Sequence, residues 1–250
     1  MGLFGIDVSE YQEKIDWSAI PSNYEFAIIR AGYGVSVSQI DKQFERNINE
    51  AHDKGFHIGA YWFLYALTPE EAIQNAEAFL SIINKHKGKI DLPVVLDVEG
   101  DTAAYMQRMG KEPSKYAISE MIRAFCKRME LEGYYVSVYS DNNFINTYFE
   151  KDILEKYDLW FAYWVSNFKP EYCIRSCGIW QYTSSGQING IDGKVDLNYT
   201  EWDYPKIIKD AGLNHLQDKS NNTLLKYLVE SGMVTETENE IIIVLKKKRG

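Results

Sequence analysis

The chain has 250 residues, 45% of them hydrophobic and 25% charged, with 27 basic side chains against 36 acidic ones and a net charge of −9. That length fits one large α/β barrel, or a mid-sized domain with an appendage, and the composition excludes a disordered polymer. The acidic balance argues against nucleic acid or an anionic membrane as the main partner, because both reward clustered lysine and arginine.

Three cysteines are too few for a disulfide framework. Cys173 and Cys177 lie four apart with no second pair or nearby histidine, so zinc is disfavoured and all three cysteines read as reduced or incidental. The opening MGLFGIDVSEYQ has no basic stretch before an apolar one, so no export signal is expected. No apolar run approaches the roughly 18 residues that would span a bilayer, and stable membrane insertion is not expected.

Short β-type runs alternate with amphipathic ones. Strands are predicted over Leu3–Asp7, Phe26–Arg30, His57–Phe63, Val94–Glu99, Tyr135–Tyr139, Leu159–Tyr163, Gly178–Tyr182 and Val195–Leu197. Helices are predicted over Asp41–Lys54, over Pro69–His86 behind a Thr-Pro-Glu-Glu start, and over Ser114–Glu132 with a stop at Gly133. After Asp158 the gaps between strands are short and rich in Gly, Pro, Ser and Asn. The expected fold is therefore α/β, an irregular flattened or open barrel of about eight strands with helices only around the first five or so. Residues 1–205 form the expected catalytic domain. Residues 213–250 form a small helix-strand module, with a helix over Asn222–Ser231 and a strand-like run over Ile241–Leu245.

Barrel enzymes assemble their sites at the carboxyl ends of strands. There the sequence places Asp7, Arg30 leading to Tyr33, Tyr61 and Phe63, Asp97 and Glu99, Tyr139, and Asp196. Asp97 and Glu99 are the sharpest pair, because residues i and i+2 of a strand share a face with Cα atoms about 6.6–6.8 Å apart. Two carboxylates so close do not both ionise easily, and the one that keeps its proton can act as a general acid. Glycoside hydrolysis asks for such an acid beside a second carboxylate. An Asp-x-Glu pair also forms salt bridges at strand ends, or holds a divalent cation. The four histidines are dispersed, no His-Glu-x-x-His or Gly-x-Ser-x-Gly occurs, and neither a phosphate-binding loop nor a complete dinucleotide fingerprint is present. No cofactor or metal is expected. The 35 aromatic residues, counted as 6 Trp, 18 Tyr and 11 Phe, are suggestive because sugar rings stack on aromatic faces, although each alone is more often core.

An ordered series of motifs resembles the glycoside hydrolase family 25 muramidases, the Chalaropsis-type lysozymes that include many phage endolysins. It comprises Gly5-Ile-Asp7-Val-Ser9 with Tyr11-Gln12 and Ile15-Asp-Trp17, then Ile29-Arg30-Ala31-Gly-Tyr33-Gly34. Asp41 with Phe44 and Asn47, Gly59-Ala-Tyr61 and Leu92-Pro-Val-Val-Leu-Asp97-Val-Glu99 follow. Trp160-Phe-Ala162, Trp180-Gln-Tyr182-Thr and Val195-Asp196-Leu-Asn198 complete the series, which covers about residues 3 to 202. The resemblance implies a flattened barrel and hydrolysis of the β-1,4 bond between N-acetylmuramic acid and N-acetylglucosamine in peptidoglycan, without a metal. It matches Glu99 to the proton donor, Asp97 to the acid assisting the anomeric centre, and Asp7 and Asp196 to the other two acidic positions. Arg30, Tyr33, Tyr61, Phe63, Tyr139, Trp164 and Trp180 fall where the family binds substrate.

Two departures stand out. Trp62 replaces the histidine usual after the Gly-x-Tyr of strand three, and its neighbour parity predicts a packing change. Trp164 stands where the family commonly has tyrosine. A substrate-assisted, retaining mechanism is expected, with direct water attack from Asp7 or Asp196 as the alternative. The expected role is a phage-type endolysin, made in the host cytoplasm and acting on the wall after release. A bacterial autolysin and a non-catalytic peptidoglycan-binding module are the alternatives. Residues 213–250 are a candidate contact to a secondary wall polymer or to a second copy.

Overall fold

The computed structural model describes residues 2–167, 169, 177–216, 234–236 and 241–243. Eight strands close into a barrel in sequence order: β1 (Leu3–Val8), β2 (Tyr24–Tyr33), β3 (His57–Phe63), β4 (Val94–Asp97), β5 (Val136–Asp141), β6 (Asp158–Ala162), β7 (Ile179–Gly186) and β8 (Val195–Thr200). Neighbours from β1 to β7 are parallel. β8 runs against both β7 and β1 and closes the ring. The expected barrel is thus found, and it is closed where the sequence suggested an opening. A further antiparallel pair, β9 (Val234–Glu236) and β10 (Ile241–Ile243), lies late in the chain.

Helices follow the early strands: α1 (Phe44–Lys54), α2 (Pro69–Ile83), α3 (Gly100–Arg108), α4 (Lys115–Leu131), α5 (Asn142–Tyr148) and α6 (Lys151–Lys156), with α7 (Tyr204–Asp210) after β8. Their caps are local chemistry. The Thr68 hydroxyl accepts from Glu71 N ahead of Pro69, and the Ser114 hydroxyl accepts from Ala117 N, each satisfying a donor that the first helical turn leaves open. α4 ends before Gly133, whose φ of 83° is a conformation that a side chain would strain.

Strand parity sorts the residues into two cores. Outward-facing residues such as Ile6, Ala27, Ile29, Ala60, Trp62, Val94, Leu96, Val138, Phe161 and Trp180 pack under the helices. Inward-facing Phe26, Ile28, Val95, Tyr139, Trp160, Ala162 and Ile179 fill the barrel, with Tyr204 and Ile208 of α7 packed against them. A Cβ on Gly5 would sit 2.3 Å from the Phe26 ring, so only glycine admits that ring to the interior. Trp62 is fully buried, stacks on Phe79 at 5.6 Å, and donates through Nε1 to Gly34 O and Asn75 Oδ1. The substitution noted in sequence is therefore a packing change, and burying such a ring contributes about 1.5–3 kcal/mol.

Some expectations are corrected. Glu99 is not in β4, which stops at Asp97; it is the extended residue before α3. Cys177 is disulfide-bonded while Cys126 is buried and free. The expectation that all three are reduced or incidental is therefore replaced for Cys177, while Cys126 is free: an odd count forbids complete pairing but not one pair. The predicted helix Asn222–Ser231 lies outside the described residues, as do Val244 and Leu245 of the predicted last run. Leu213 and Leu216 pack against the inner core, so the first residues of the expected appendage sit with the barrel. Among the described residues no helix is long and apolar enough to cross a membrane.

Candidate active site

The inward parity that fills the barrel also selects what reaches its mouth. Asp7, Arg30, Tyr61, Phe63, Asp97, Tyr139 and Asp196 all lie on the inward series, at the carboxyl ends of the parallel strands or at the start of β8. Asp7 sits directly opposite Asp196 across the antiparallel β1–β8 pair. Asp97 is level with Phe63 on β3 and Tyr139 on β5. Glu99 extends two residues beyond the strand. Its backbone N–H donates to Thr102 Oγ1, whose hydroxyl in turn donates to Leu64 O, which ties the start of α3 to the end of β3.

A cavity of about 470 Å³ opens at this mouth, lined among others by Asp7, Arg30, Tyr33, Tyr61, Phe63, Asp97, Glu99 and Asp196. A second, also about 470 Å³, meets it at Glu99 and is lined by Tyr139, Asp141, Asn142, Asn143, Ala162, Tyr163 and Trp164. Glu99 alone lines both, so the two form one groove with this carboxyl at the junction. Of the residues singled out in the sequence, only Trp180 stays away: it has the outward parity, is 1% exposed, and donates through Nε1 to Tyr163 O. The substrate-contact assignment for Trp180 is thus not supported by its placement.

Several lining residues were not assigned to the site from sequence, although Ser9, Tyr11 and Gln12 stand in the matching motif series. Ser9 and Gln12 cap a short helical turn that presents Glu10 and Tyr11 at the rim. Tyr11 is 78% exposed, and its ring lies 4.8 Å from the Arg30 guanidinium carbon. Arg30 donates through Nε to Asp41 at 2.7 Å and through Nη2 to Glu10 at 3.0 Å. Its charge is thereby matched within the protein. Tyr65 extends the aromatic band, with its ring 5.9 Å from Tyr33, 4.8 Å from Phe63 and 5.1 Å from Tyr105. Arg30 is the one cation among the described lining residues of the groove, against Asp7, Glu10, Asp97, Glu99, Asp101, Asp141 and Asp196.

Burial and crowding of carboxylates set the electrostatics. Burial, then the charges of Asp101, Asp141 and Asp196, push the Glu99 carboxyl up to about 7. Asp97 is held well above the ordinary aspartate range by burial first and by Glu99 and Asp7 next, with Arg30 opposing. Its Oδ1 is buried without a hydrogen-bond partner among the described residues. Asp7 is likewise pushed well up by burial and then by Asp196, although Asn198 and Gln181 hydrogen-bond its charged form. Asp196 is raised by burial and held back by a hydrogen bond from Asp7. Such an arrangement offers a protonated carboxyl near neutral pH at the groove junction, beside a buried carboxyl oxygen with no protein donor. Among the described residues no three His, Cys, Asp or Glu side chains converge in a way that could hold a metal ion.

The family model for glycosyl hydrolases family 25 matches residues 6–191. The chain is 28% identical over 205 residues to lysozyme M1 of Streptomyces globisporus, covering 79% of this chain and 67% of that protein. The structure resembles that of the bacterial lysozyme from Streptomyces coelicolor with a TM-score of 0.68 at 27% identity, covering 87% of this chain and 99% of that one. It also resembles the modular autolysin LytC from Streptococcus pneumoniae, solved in complex with a synthetic peptidoglycan ligand, with a TM-score of 0.68 at 28% identity. That match covers 79% of this chain, which spans only 46% of the length of LytC.

Proposed function

The chain belongs to glycosyl hydrolase family 25, and we propose that it is a muramidase that cleaves the β-1,4 bond between N-acetylmuramic acid and N-acetylglucosamine in peptidoglycan. The observation that carries this reading is Glu99 at the junction of two cavities, its carboxyl raised to about 7, beside Asp97 with a buried oxygen that no described residue partners. The relatives' lysozyme and autolysin activities support it. An endolysin, the role expected from the sequence, and an autolysin would use the same site.

A glycan strand runs along the groove with the scissile bond at Glu99. Glu99 donates its proton to the bridging oxygen as the C1–O bond breaks. The carbonyl oxygen of the 2-acetamido group attacks C1 and forms an oxazolinium ion. Asp97 Oδ1 accepts the acetamido N–H; that donor favours the ionised carboxylate, which then balances the developing positive charge. Water, deprotonated by Glu99, adds to C1, the acetamido carbonyl is restored, and configuration is retained. Tyr33, Tyr61, Phe63 and Tyr65 form the apolar wall on one side of the junction, and Tyr139 and Trp164 on the other. Arg30, already paired with Asp41 and Glu10, stiffens the rim and holds Tyr11.

The test is to digest Gram-positive peptidoglycan and identify new reducing ends by mass spectrometry. Reducing muramic acid ends are expected, with undiminished rate in EDTA. Reducing glucosamine ends would reassign the bond, and binding without new ends would leave a glycan-binding module. Proton NMR of the fresh product should show the β-anomer; the α-anomer would replace substrate assistance by direct water attack.

A further inference from the structure

The mechanism above leaves unexplained two buried amides that face the groove floor. Gln181 is 2% exposed and Asn198 fully buried. Gln181 Nε2 donates to Asp7 Oδ2 at 3.0 Å, and Asn198 Nδ2 donates to the same oxygen at 2.8 Å. Their own carbonyl oxygens are also occupied. Trp160 Nε1 donates to Asn198 Oδ1 at 2.7 Å, while Trp164 Nε1 and Tyr139 OH both donate to Gln181 Oε1 at 3.0 Å. An indole N–H can only donate. Turning either amide over would set an NH2 against an indole N–H and leave Asp7 facing a carbonyl. Both amides therefore have a single workable orientation.

We propose that Gln181 and Asn198 are positioning residues that hold one oxygen of Asp7 purely as an acceptor and direct the carboxyl proton of Asp7 to its other oxygen, toward Asp196, whose charged form that O–H then supports. The geometry requires such a division, because Asp7 and Asp196 are directly opposite across β1 and β8 and two carboxylates there cannot both stay charged at low cost. Asp7 lies within the field of Asp196 on β8, Tyr61 on β3, Asp97 on β4 and Tyr139 on β5, and Arg30 on β2 is the cation acting on Tyr61 and Asp97. Burial and the contact with Asp196 raise Asp7 against the two amide donors, which by themselves favour its ionised form, and the same contact lowers Asp196. The charge kept on Asp196 is one of those that hold the Glu99 proton in place. Trp164 is 59% exposed on the groove wall, so the lock ties a groove aromatic to the buried acid pair.

The role of the lock in turnover rests on the muramidase reading, but the lock itself can be read without substrate. Carbon-13 NMR follows the side-chain carboxyls of the wild type, Gln181→Leu and Trp164→Phe through pH, with Asp7→Asn and Asp196→Asn for assignment. In the wild type Asp7 keeps its proton after Asp196 has ionised. In Gln181→Leu the Asp7 oxygen keeps only the Asn198 donor, so the proton of Asp7 is less confined and Asp7 itself titrates higher; Asp196 loses part of its donor, and its titration moves up by about half a pH unit or more. The acid limb of kcat moves with it, an about threefold loss on that limb. Trp164→Phe alters an exposed side chain and keeps the fold; it frees the amide only partly, so Asp196 moves the same way by less, while KM rises separately. A residue that merely fills space would lower kcat at every pH and leave both titrations in place. Asp7 ionised ahead of Asp196 in the wild type, or Asp196 unmoved in whichever variant folds, overturns the proposal. A wild type that releases no reducing ends would defeat the muramidase reading and leave the NMR comparison to decide the lock.

Discussion

The two ends of the barrel treat their polar groups in opposite ways. At the end away from the groove, most polar groups are spent on each other, although the buried Nε2 of His215 has no hydrogen-bond partner among the described residues. His57 Nδ1 contacts Asp91 Oδ2 at 2.6 Å, while Asp91 Oδ1 accepts from Ile58 N. Asp158 accepts from the hydroxyls of Tyr135 and Tyr204. Asn214 donates to Ile90 O and Leu92 O and accepts from Tyr135 N, sewing the α7 tail to β3–β5 connections. At the groove end, four carboxyls sit above their ordinary range and an Asp97 oxygen has no partner among the described residues. The same strands supply both ends, so the difference reflects what each end is for. One end contributes stability, and the other holds uncompensated charge that a substrate can use.

That contrast can be broken by mutation. The largest effect is expected at the groove: Glu99→Gln should lower kcat by about 10²–10⁴, the range for a lost general acid, with the far-UV circular dichroism unchanged. At the opposite end, Asn214→Ala removes three hydrogen bonds from a buried residue with a φ of 53°. It should cost about 2–4 kcal/mol in urea unfolding and leave kcat in place.

The ends should also differ in how pH acts on stability. Folded Glu99 keeps its proton to about pH 7, whereas the unfolded chain releases it near the ordinary value of 4.5. Over that window the native state binds more protons, so stability falls as pH rises. Glu99→Gln should therefore lose activity yet be about 1–3 kcal/mol less penalised at pH 8 than the wild type, read as a smaller drop in the urea midpoint from pH 4.5 to 8. His57 runs by the other rule. Its hydrogen bond to Asp91 raises it above 6.5, so its contribution is complete below that value and is lost as pH rises through the folded value. The pair is partly exposed, and the wild-type advantage over His57→Gln should be well under 1 kcal/mol at pH 6 and vanish by pH 9.

The parallel ring and its acids were legible because inward parity, strand ends and βα rhythm leave a strong periodic trace: Asp7, Arg30, Tyr61, Asp97 and Asp196 all fall where the period placed them. Glu99 was identified as a site residue but assigned to the wrong element. Gly100 is a poor helix former, and the nine residues of α3 carry too few apolar positions to announce a helix there. Trp180 shows the limit of motif reading. It stands beside Gln181 in the matching run, yet parity sends the indole outward and the amide into the barrel. Gln181 carried a faint signal, an amide following inward Ile179 on β7, whereas Asn198 follows inward Asp196 on β8 and does not stand out. Their partners Tyr139, Trp160 and Trp164 lie on β5, on β6 and just beyond β6, and no local pattern reveals contacts across the barrel. Tyr11, quoted in the matching series, and Tyr65 were not assigned to the site because they follow strands, in a short helical turn and in a connection, where strand periodicity stops.

The most direct test of the account is the pH dependence of peptidoglycan cleavage by the wild type beside Glu99→Gln, with reducing ends identified by mass spectrometry. The account predicts muramic acid ends, a wild-type rate that falls on the alkaline side with an apparent value near 7, and at least a hundredfold loss in Glu99→Gln at every pH. A Glu99→Gln variant that cleaves at the wild-type rate would contradict it.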